Sequence, residues 1–328
     1  MKRLFLLFAL AGLLLGCTSE DDNSAGSDGG VGDGDSNAPT GVIGATCLTT
    51  NNPFFITIKD AMEEEAAKHG YVVEYLSGDE DSEKQSNQIK DFIVKGVDAI
   101  AINPCNSMAI GSAIKEANEA GIPVFTFDMR SSDPDAKVVA HVGTNNFQGG
   151  ELAGEAMAEA LGEAGGKVVI LDFKDAESCQ QRVAGFKKYL ADHPEANIEI
   201  VAELPGNGNQ SDGFAAAEDA LQAHPDLAGF FAINDPSGLG AVAALEKANK
   251  TDQVKIVAFD GQLIGKKAIK EGKIYADPIQ FPDKIGREIV KAIVAHFRGD
   301  PVEADMMIDS ALYRQEDALK DPELAEEQ

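Results

Sequence analysis

The chain has 328 residues, of which 44% are hydrophobic and 25% are charged, a composition typical of globular proteins. This length is sufficient for two domains of roughly 100–150 residues each. The formal net charge is −27, and such an excess of acidic groups argues against nucleic acid or anionic lipid as a binding partner.

The first 40 residues have the pattern of an export signal followed by a tether. Lys2 and Arg3 precede an apolar run at residues 4–15 that is too short to span a bilayer. The run leads into Leu-Leu-Gly-Cys, which resembles the lipobox of bacterial lipoproteins, so residues 1–16 predict a lipoprotein signal peptide and Cys17 the lipidated residue. An ordinary cleaved signal with a chance cysteine is the alternative. Residues 17–40 are rich in Gly, Ser and Asp, which predicts an acidic flexible tether. We therefore expect a protein in the periplasm or at the cell surface, anchored to a bacterial membrane only through lipid.

From residue 41 onward, short apolar strands alternate with helices that end at glycine. Residues 42–48 read as a strand buried on both faces, and Pro53 suits the first turn of the helix that follows it. The predicted strands of the first half are residues 42–48, 71–76, 99–102, 124–127 and 138–142, and the helices are residues 53–69, 82–95 and 107–120. Strict alternation of this kind predicts a parallel sheet covered by helices.

The same alternation restarts after residue 144, which indicates a second lobe of similar size. The predicted helices are residues 145–161, 177–191, 211–223, 238–248, 263–271 and 282–297, and the strands are residues 167–171, 198–202, 229–233, 255–259 and 274–280. One short strand is expected within residues 306–312, and the acidic tail from residue 315 is expected to be frayed. The predicted fold is therefore α/β, with two Rossmann-like lobes built on parallel sheets.

Polar residues follow the predicted strands of both lobes at their carboxyl ends, where ligands bind in open α/β sheets. They are Asn52, Asn103, Asp128, Asn234, Asp260 and Gln280. Each alone has an alternative explanation as a turn residue or helix N-cap, but six at equivalent places favour a shared cleft. Amides and single carboxylates offer the mixture of donors and acceptors that a polyol requires.

Two aromatic residues, Phe54 and Phe55, follow the first strand and are candidates for covering the apolar face of a ligand. The alternative is that both rings belong to the core. Phe55 continues at helical spacing to Ile58 and Met62, whereas Phe54 lies off that stripe and is the better candidate for ligand contact.

Evidence for catalysis, metal binding or a cofactor is poor. The sequence has no G-x-S-x-G, H-E-x-x-H or Walker motif, and Cys47, Cys105 and Cys179 lack metal-type spacing. An exported chain can pair two of these cysteines, and the sequence does not indicate whether it does. An alternative is that Asp128 and Asp260 act as an acid–base pair in sugar chemistry. It is less favoured, because no second carboxyl is predicted beside either residue. We expect no cofactor and no metal.

Seven short stretches, in this order and spacing, resemble the periplasmic sugar-binding proteins of ABC importers, of the ribose-binding type. They are NNPFF at residues 51–55, INP at 102–104, FD at 127–128, RVAGF at 182–186, HPDLAGFFAIND at 224–235, VAFDG at 257–261 and IQFPDKIG at 279–286. The resemblance implies two lobes joined by a three-strand hinge, with crossings near residues 143–145, 280 and 309–310. It divides the chain into an N-terminal lobe of residues 41–143 plus 281–309, a C-terminal lobe of residues 144–280 plus 310–320, and a tail of residues 321–328.

The same resemblance implies roles for individual residues. Hydrogen bonds to sugar oxygens are expected from Asn52, Asn103, Asp128, Arg182, Asn234, Asp260 and Gln280, with Phe54 and Phe55 over one face of the sugar. Two departures put ribose itself in doubt. Met129 stands where the ribose binders carry Arg, so that Arg130 re-aimed into the site, or a water, is expected to replace it. Residues 205–208 lack the second aromatic wall.

The predicted function is capture of a monosaccharide or polyol, which is then presented to the membrane subunits of an ABC importer. A pentose, a hexose, inositol and an acyclic polyol remain equal candidates for the ligand. The alternatives are a sugar sensor read by a chemoreceptor or sensor kinase, and, less favoured, a sugar-acting enzyme. We expect a monomer.

Overall fold

Two six-stranded sheets organise residues 41–325, the part of the chain that the computed structural model describes. The strands are β1 (Gly41–Cys47), β2 (Tyr71–Ser77), β3 (Ala99–Ile102), β4 (Val124–Phe127), β5 (His141–Thr144), β6 (Gly166–Asp172), β7 (Ile198–Pro205), β8 (Leu227–Ala232), β9 (Lys255–Val257), β10 (Ala276–Ile279), β11 (Asp305–Ile308) and β12 (Ala311–Arg314). The first sheet has the order β11-β5-β4-β3-β1-β2 and the second β12-β10-β9-β8-β6-β7. All pairs are parallel except β10 with β12. The α/β prediction is confirmed.

Helices cover both sheets, and some of them begin and end at capping residues. They are α1 (Pro53–Lys68), α2 (Ser82–Lys95), α3 (Gly111–Glu119), α4 (Asn146–Leu161), α5 (Glu177–Asp192), α6 (Gln210–Ala223), α7 (Asp235–Ala248), α8 (Leu263–Lys270), α9 (Pro282–Arg298) and α10 (Gln315–Ala318). In α2, the Asp81 carboxylate accepts from the N–H groups of Glu83 and Lys84, and Gly96 ends the helix with a left-handed φ of 68°. None of the described helices is long and apolar enough to cross a membrane.

The chain passes between the two sheets three times: from β5 to α4, from β10 to α9, and from β11 to β12. Hydrogen bonds tie these crossings together. Thr144 Oγ1 donates to Gln280 Oε1 at 2.6 Å, and Asn145 Nδ2 donates to Asp309 Oδ1 at 2.9 Å. The three crossings therefore form one connected region between the lobes.

Each lobe has a core of apolar side chains from its sheet and from the covering helices. Phe125 and Phe127 are fully buried in the first lobe, where α1 and α9 pack against the sheet. Phe230 and Phe231 lie on opposite faces of the second sheet, in two separate clusters. Burial on both faces explains why the strands read as short continuous apolar runs rather than as alternating patterns.

Several predicted limits are wrong for reasons of local structure. The strand expected within residues 306–312 is two strands in different sheets, because Asp309 and Ser310 cross between the lobes. The tail is not frayed over residues 315–325. Ala318 and Leu324 are buried there, and the Tyr313 hydroxyl donates to Asp321 Oδ2 at 2.7 Å.

Two elements of the first lobe also begin later than predicted. Helix α3 starts at Gly111, because Asn106 accepts from the N–H groups of Met108 and Ala109 and holds the preceding segment in a turn. Strand β5 starts at His141, opposite Asp305 of β11. Residues 1–40, including Cys17, and residues 326–328 lie outside the described part.

Candidate functional site

A cavity of about 600 Å³ lies between the carboxyl ends of the two sheets. This volume is within the range of roughly 300–1,000 Å³ that is typical of small-molecule sites. From the first lobe it is lined by Asn52, Phe54, Phe55, Cys105, Asp128 and Met129, among others. From the second lobe and the crossing it is lined by Phe173, Cys179, Arg182, Gly208, Asn234, Asp260, Gln262 and Gln280, among others. Eight of the ten predicted ligand-binding residues therefore lie on this one cavity.

The loop after β1 presents an amide and two rings to the cavity. Asn52 caps α1 by accepting the Phe54 N–H on its Oδ1 at 2.9 Å, and Pro53 occupies the first turn. Phe54 and Phe55 meet edge to face, with ring centroids 5.3 Å apart. Both rings are more than nine-tenths buried and also belong to the core cluster of the first lobe. They therefore serve as core residues and as cavity wall at once.

Asp128 follows β4 with a left-handed φ of 58° and is held by Asn103. The Asn103 Nδ2 donates to Asp128 Oδ2 at 3.0 Å, and its Oδ1 accepts the Leu48 N–H at 2.9 Å. Asn103 is fully buried and is not among the cavity-lining residues. It thus ties together the ends of β1, β3 and β4, so the structure places it behind Asp128 and not at the ligand surface.

Arg182 and Asp260 form the centre of the second lobe's contribution. The Arg182 Nη1 donates to Asp260 Oδ1 at 3.0 Å and to the Ile233 carbonyl at 2.6 Å, while its Nε donates to Asn146 Oδ1 at 2.8 Å. The guanidinium carbon lies 3.9 Å from the centroid of the Phe259 ring. Hydrogen bonds on three sides and stacking on a ring fix this side chain in one position.

Asp260 is in turn surrounded by amide donors. Gln280 Nε2 donates to its Oδ1 at 2.5 Å, and Gln262 Nε2 donates to its Oδ2 at 3.1 Å. Gln280 stands at a crossing between the lobes, where its Oε1 accepts from Thr144 Oγ1. The hydrogen-bond network of the cavity therefore continues into the hinge region.

Asn234 caps α7 and also holds the loop after β7. Its Oδ1 accepts the Ser237 N–H at 3.0 Å, and its Nδ2 donates to the Gly208 carbonyl at 2.9 Å. Gly208 has a left-handed φ of 69°. Asn234 therefore lines the cavity and gives shape to the segment where an aromatic wall is missing.

The acidic groups of the cavity are shifted by burial. Burial is the main cause that raises the pKa of Asp128 to about 7. The Asp260 charge acts in the same direction, while the Arg182 charge and the Asn103 hydrogen bond oppose the rise. Burial also raises the pKa of Asp260 against the opposing effect of Arg182. Burial raises the pKa values of Cys105 and Cys179 to about 12, so both thiols are neutral at pH 7. Cys47, Cys105 and Cys179 are all free and buried.

Arg130 is a correction to the predicted site. Its Nη1 donates to Asp305 Oδ1 at 2.5 Å at the edge of the first sheet, and it is not among the cavity-lining residues. The residue before it, Met129, is 96% buried and packs in a cluster with Ala176 and Cys179 of the second lobe. The side chain that replaces the missing arginine is therefore apolar and makes contact across the cleft.

The structure places further residues at the candidate site that the sequence patterns did not reveal. Phe173 directly follows β6 and lines the cavity, and the Cβ that Gly208 lacks would lie 3.5 Å from its ring. Gln262 lines the cavity beside Asp260, and Asn146 orients Arg182. An aromatic residue at a strand end was a usable signal for Phe173, since the same signal identified Phe54. No comparable signal marks Asn146 within its helix.

The two lobes touch across the cavity in this structure. The Glu177 N–H at the start of α5 donates to Ser107 Oγ of the first lobe at 3.3 Å. Leu48 of the first lobe, like Met129, packs against the apolar cluster of the second. Among residues 41–325, no group of three or more His, Cys, Asp or Glu side chains is arranged to hold a metal ion. The cavity thus combines neutral amides, aromatic rings and one guanidinium with two buried carboxyl groups, those of Asp128 and Asp260.

Comparison with known proteins places the chain among binding proteins of one kind. Residues 43–301 match the family model described as periplasmic binding protein domain. The ribose import binding protein of Salmonella typhimurium is 36% identical over 270 residues, which cover 82% of this chain and 89% of the relative.

Two solved structures with bound ligands share the fold. A periplasmic solute-binding protein of an ABC transporter from Actinobacillus succinogenes, with bound D-allose, has a TM-score of 0.79 at 27% identity, covering 86% of this chain and 100% of that chain. A solute-binding protein from Bacillus halodurans, with bound myo-inositol, has a TM-score of 0.78 at 28% identity, covering 86% of this chain and 97% of that chain.

Proposed function

The chain belongs to the periplasmic binding protein domain family, and from that premise we propose that it captures a monosaccharide or polyol between its lobes and delivers it to an ABC importer. The observation that carries the proposal is the convergence of Asp128 from one lobe with Arg182, Asp260 and Gln280 on a single cavity. Relatives and structural neighbours bind ribose, D-allose and myo-inositol, which are all uncharged and rich in hydroxyls.

The charges of the cavity favour an uncharged ligand. The one guanidinium, on Arg182, is already paired with Asp260 inside the second lobe. The other carboxyl, Asp128, has a pKa of about 7 and faces no cation at hydrogen-bond distance among the described residues. An anionic ligand would meet two buried carboxyl groups, and a cationic one would meet the guanidinium. A neutral polyol can donate hydroxyl protons to the carboxylates and accept from the amides without leaving a buried charge unpaired.

The apolar part of the cavity favours a ring-shaped ligand with one exposed C–H face. Phe54 and Phe55 supply aromatic surface from the first lobe and Phe173 from the second. Met129 is apolar and stands where the ribose-binding type has a hydrogen-bond donor. The pocket can therefore accept, beside Met129, an edge of the ligand that carries no hydroxyl. Ribose, allose and inositol remain within the proposed class. The chain differs from the ribose-binding type because Met129 replaces an arginine and its guanidinium donors.

A thermal-shift screen tests the proposal. The panel consists of D-ribose, D-allose, D-apiose, myo-inositol and an acyclic polyol, with D-ribose 5-phosphate as the charged control. A ligand present at 100 times its Kd stabilises the native state by about 2.7 kcal/mol, which corresponds to a rise of roughly 5–10 °C in Tm. We expect at least one neutral compound to reach this range and the phosphate to have no effect. A rise in Tm with the phosphate alone contradicts the proposal. So does a panel in which no sugar or polyol raises the Tm.

We further propose that the body is a monomer without a cofactor, that it performs no chemistry on the ligand, and that Cys17 anchors it through lipid on the periplasmic or outer face of a bacterial membrane. The proposed lobes are residues 41–143 plus 281–309 and residues 144–280 plus 310–320. Cell fractionation tests the anchor, because Cys17→Ser should move the protein from the membrane fraction to the soluble fraction. If the variant stays with the membrane, the lipid-anchor proposal is wrong, while the ligand proposal is unaffected.

A further inference from the structure

Two buried aspartates, Asp235 and Asp277, adjoin the part of the cavity wall that Asp260 and Gln262 form. Asp235 begins α7 and Asp277 lies in β10, and both side chains are fully buried. Neither side chain lines the cavity, so neither belongs to the ligand contacts described above. Asp235 Oδ2 accepts the backbone N–H of Gln262 at 2.7 Å, which links the pair to the wall.

The two carboxyl groups face each other without a donor between them. They lie within hydrogen-bond reach of each other. Asp235 Oδ1 and both side-chain oxygens of Asp277 have no hydrogen-bond partner among residues 41–325. The backbone of α8 is packed closely against the pair, since a Cβ on Gly265 would lie 2.1 Å from Asp235 Oδ1. Backbone N–H groups of Ala258 and Gly261 favour the charged form of Asp277, but burial outweighs them. Two ionised carboxylates in such a place would repel each other, whereas one proton makes one oxygen a donor.

The neighbouring charged and titratable groups do not compensate the pair. From the loop after β9 comes Asp260, which is itself acidic and paired with Arg182. From β12 comes Tyr313, the register partner of Asp277, whose hydroxyl donates to Asp321. Burial, with the charge of Asp260, raises the pKa of Asp277 to about 7, although the hydrogen bond with Asp235 lowers it. Burial, with the charge of Asp277, raises the pKa of Asp235 well above its ordinary value.

The adjacent helix α8 carries Lys266, and this cation is also committed elsewhere. Its Nζ pairs with Asp321 at 3.1 Å and with Glu323 at 2.7 Å. Lys266 is therefore already paired with two carboxylates of the C-terminal segment.

We propose that Asp235 and Asp277 share a proton near neutral pH, and that this pair is a positioning device for the cavity wall. While the proton is held, Asp235 fixes the backbone of Gln262, and the Gln262 side chain donates to Asp260 at 3.1 Å. When the proton is lost, two like charges push β10 and the start of α7 apart and release this wall. The effect on a ligand rests on the proposed function, whereas the shared proton does not.

Carboxyl NMR on the unligated protein tests the shared proton directly. With ¹³C-labelled aspartate, the resonances that change in Asp277→Asn identify the pair, and in the unaltered protein they should titrate above pH 6. The ¹⁵N-labelled amide of Gln262 should shift over the same pH range and become insensitive to pH in the variant. Titration of both carboxyls below pH 5 overturns the shared proton. A Gln262 amide that does not follow the pair overturns the positioning role.

Stability against pH gives a second readout that requires no ligand. The native state holds a proton that the unfolded chain releases above about pH 4, so the contribution of the pair to stability is lost as pH rises from about 4 through 7. Asp277→Asn supplies an N–H donor in place of the proton. The Tm of the variant minus that of the parent should therefore rise by several degrees between pH 5 and pH 8.

Asp252→Asn, in an exposed turn of the same lobe, is the matched control and should show a constant Tm difference. If the Tm of the parent and the Tm of Asp277→Asn change with pH in parallel, the proposal is contradicted. If Asp277→Asn does not fold, Asp235→Asn assigns the resonances of the pair from its other member, because the buried carboxyl of Asp128 also has a raised pKa and has to be told apart from them. The shared proton is overturned if no aspartate resonance of the unaltered protein that is lost or moved in Asp235→Asn titrates above pH 6. Absence of sugar binding would refute the proposed function and would leave all these outcomes unchanged.

Discussion

Ligand affinity should fall about tenfold for each pH unit below 7, because Asp128 must be ionised to accept a ligand hydroxyl at full strength. Burial raises the pKa of this carboxyl to about 7, and Asn103 is its one hydrogen-bond donor from the described residues. If the ligand binds only the ionised form, its apparent Kd rises by the factor 1 + 10^(pKa − pH). That factor is about 100 at pH 5, or about 2.7 kcal/mol.

Titration calorimetry at pH 5, 6, 7 and 8 measures this dependence with the best neutral compound from the thermal-shift screen. Repeating the pH 6 titration in a buffer of different ionisation enthalpy counts protons, and binding should release close to one. Asp128→Asn is the control: at pH 8 it should weaken binding by roughly 1–3 kcal/mol, and its affinity should lose the tenfold step per pH unit. Buried acids that do not interact with Asp128 contribute equally to both proteins, so the difference between the two curves reports Asp128 together with its coupling to Asp260.

An affinity that is constant from pH 5 to pH 8 in the parent protein would refute this reasoning. So would a dependence of the same size in Asp128→Asn, since the titrating group would then lie elsewhere. A rise in affinity towards low pH would mean that the protonated carboxyl donates to the ligand, the reverse of the proposed role.

Three further predictions concern groups that support the site. Arg182→Lys keeps the charge but loses the planar fork, so ligand affinity measured by calorimetry should fall by roughly 1.5–3 kcal/mol; an unchanged affinity contradicts the assigned contact. Asn103→Ala leaves Asp128 and a buried N–H without partners, so urea unfolding should show a loss of about 2–4 kcal/mol, and a loss below 1 kcal/mol would contradict the bridging role. Thr144→Val removes the donor to Gln280 and should weaken ligand binding about fivefold, or about 1 kcal/mol. Thr126→Val is the control, because Thr126 is a buried threonine that is hydrogen-bonded to a histidine within the first sheet. It should lower stability but leave ligand affinity unchanged. If Thr126→Val and Thr144→Val weaken binding equally, the proposed role of the Thr144–Gln280 hydrogen bond in binding is contradicted.

Much of the fold was predictable because its local signals agree with its tertiary structure. The limits of α2 follow from Asp81 as cap and Gly96 in the left-handed region, which are both local features. The predicted strand at residues 306–312 was wrong because a parallel edge strand and an antiparallel one follow each other without a turn signal. Their assignment to different sheets depends on long-range pairing with β5 and β10, which no local pattern encodes.

The candidate site was predictable in its location but not in its side-chain directions. Polar residues at strand ends identified Asp128, Asn234 and Asp260, because parallel strands bring their carboxyl ends to one edge. The same rule cannot tell a residue that faces the cavity from one that supports it, and Asn103 is of the second kind. The left-handed backbone at Asp128 is followed by Met129, which faces the cleft, and by Arg130, which lies at the sheet edge.

The position of Gln280 explains why ligand binding and lobe closure should be linked. Its Nε2 reaches Asp260 on the cavity wall, and its Oε1 accepts from Thr144 at another crossing. A ligand that holds Asp260 in place also favours the orientation of Gln280 that satisfies Thr144. Rotation of the lobes has to turn the backbone at these same crossings. A ligand held by Asp128 from one side and Asp260 from the other gains both sets of contacts only in the closed arrangement, and this difference in affinity is what shifts a population towards closure.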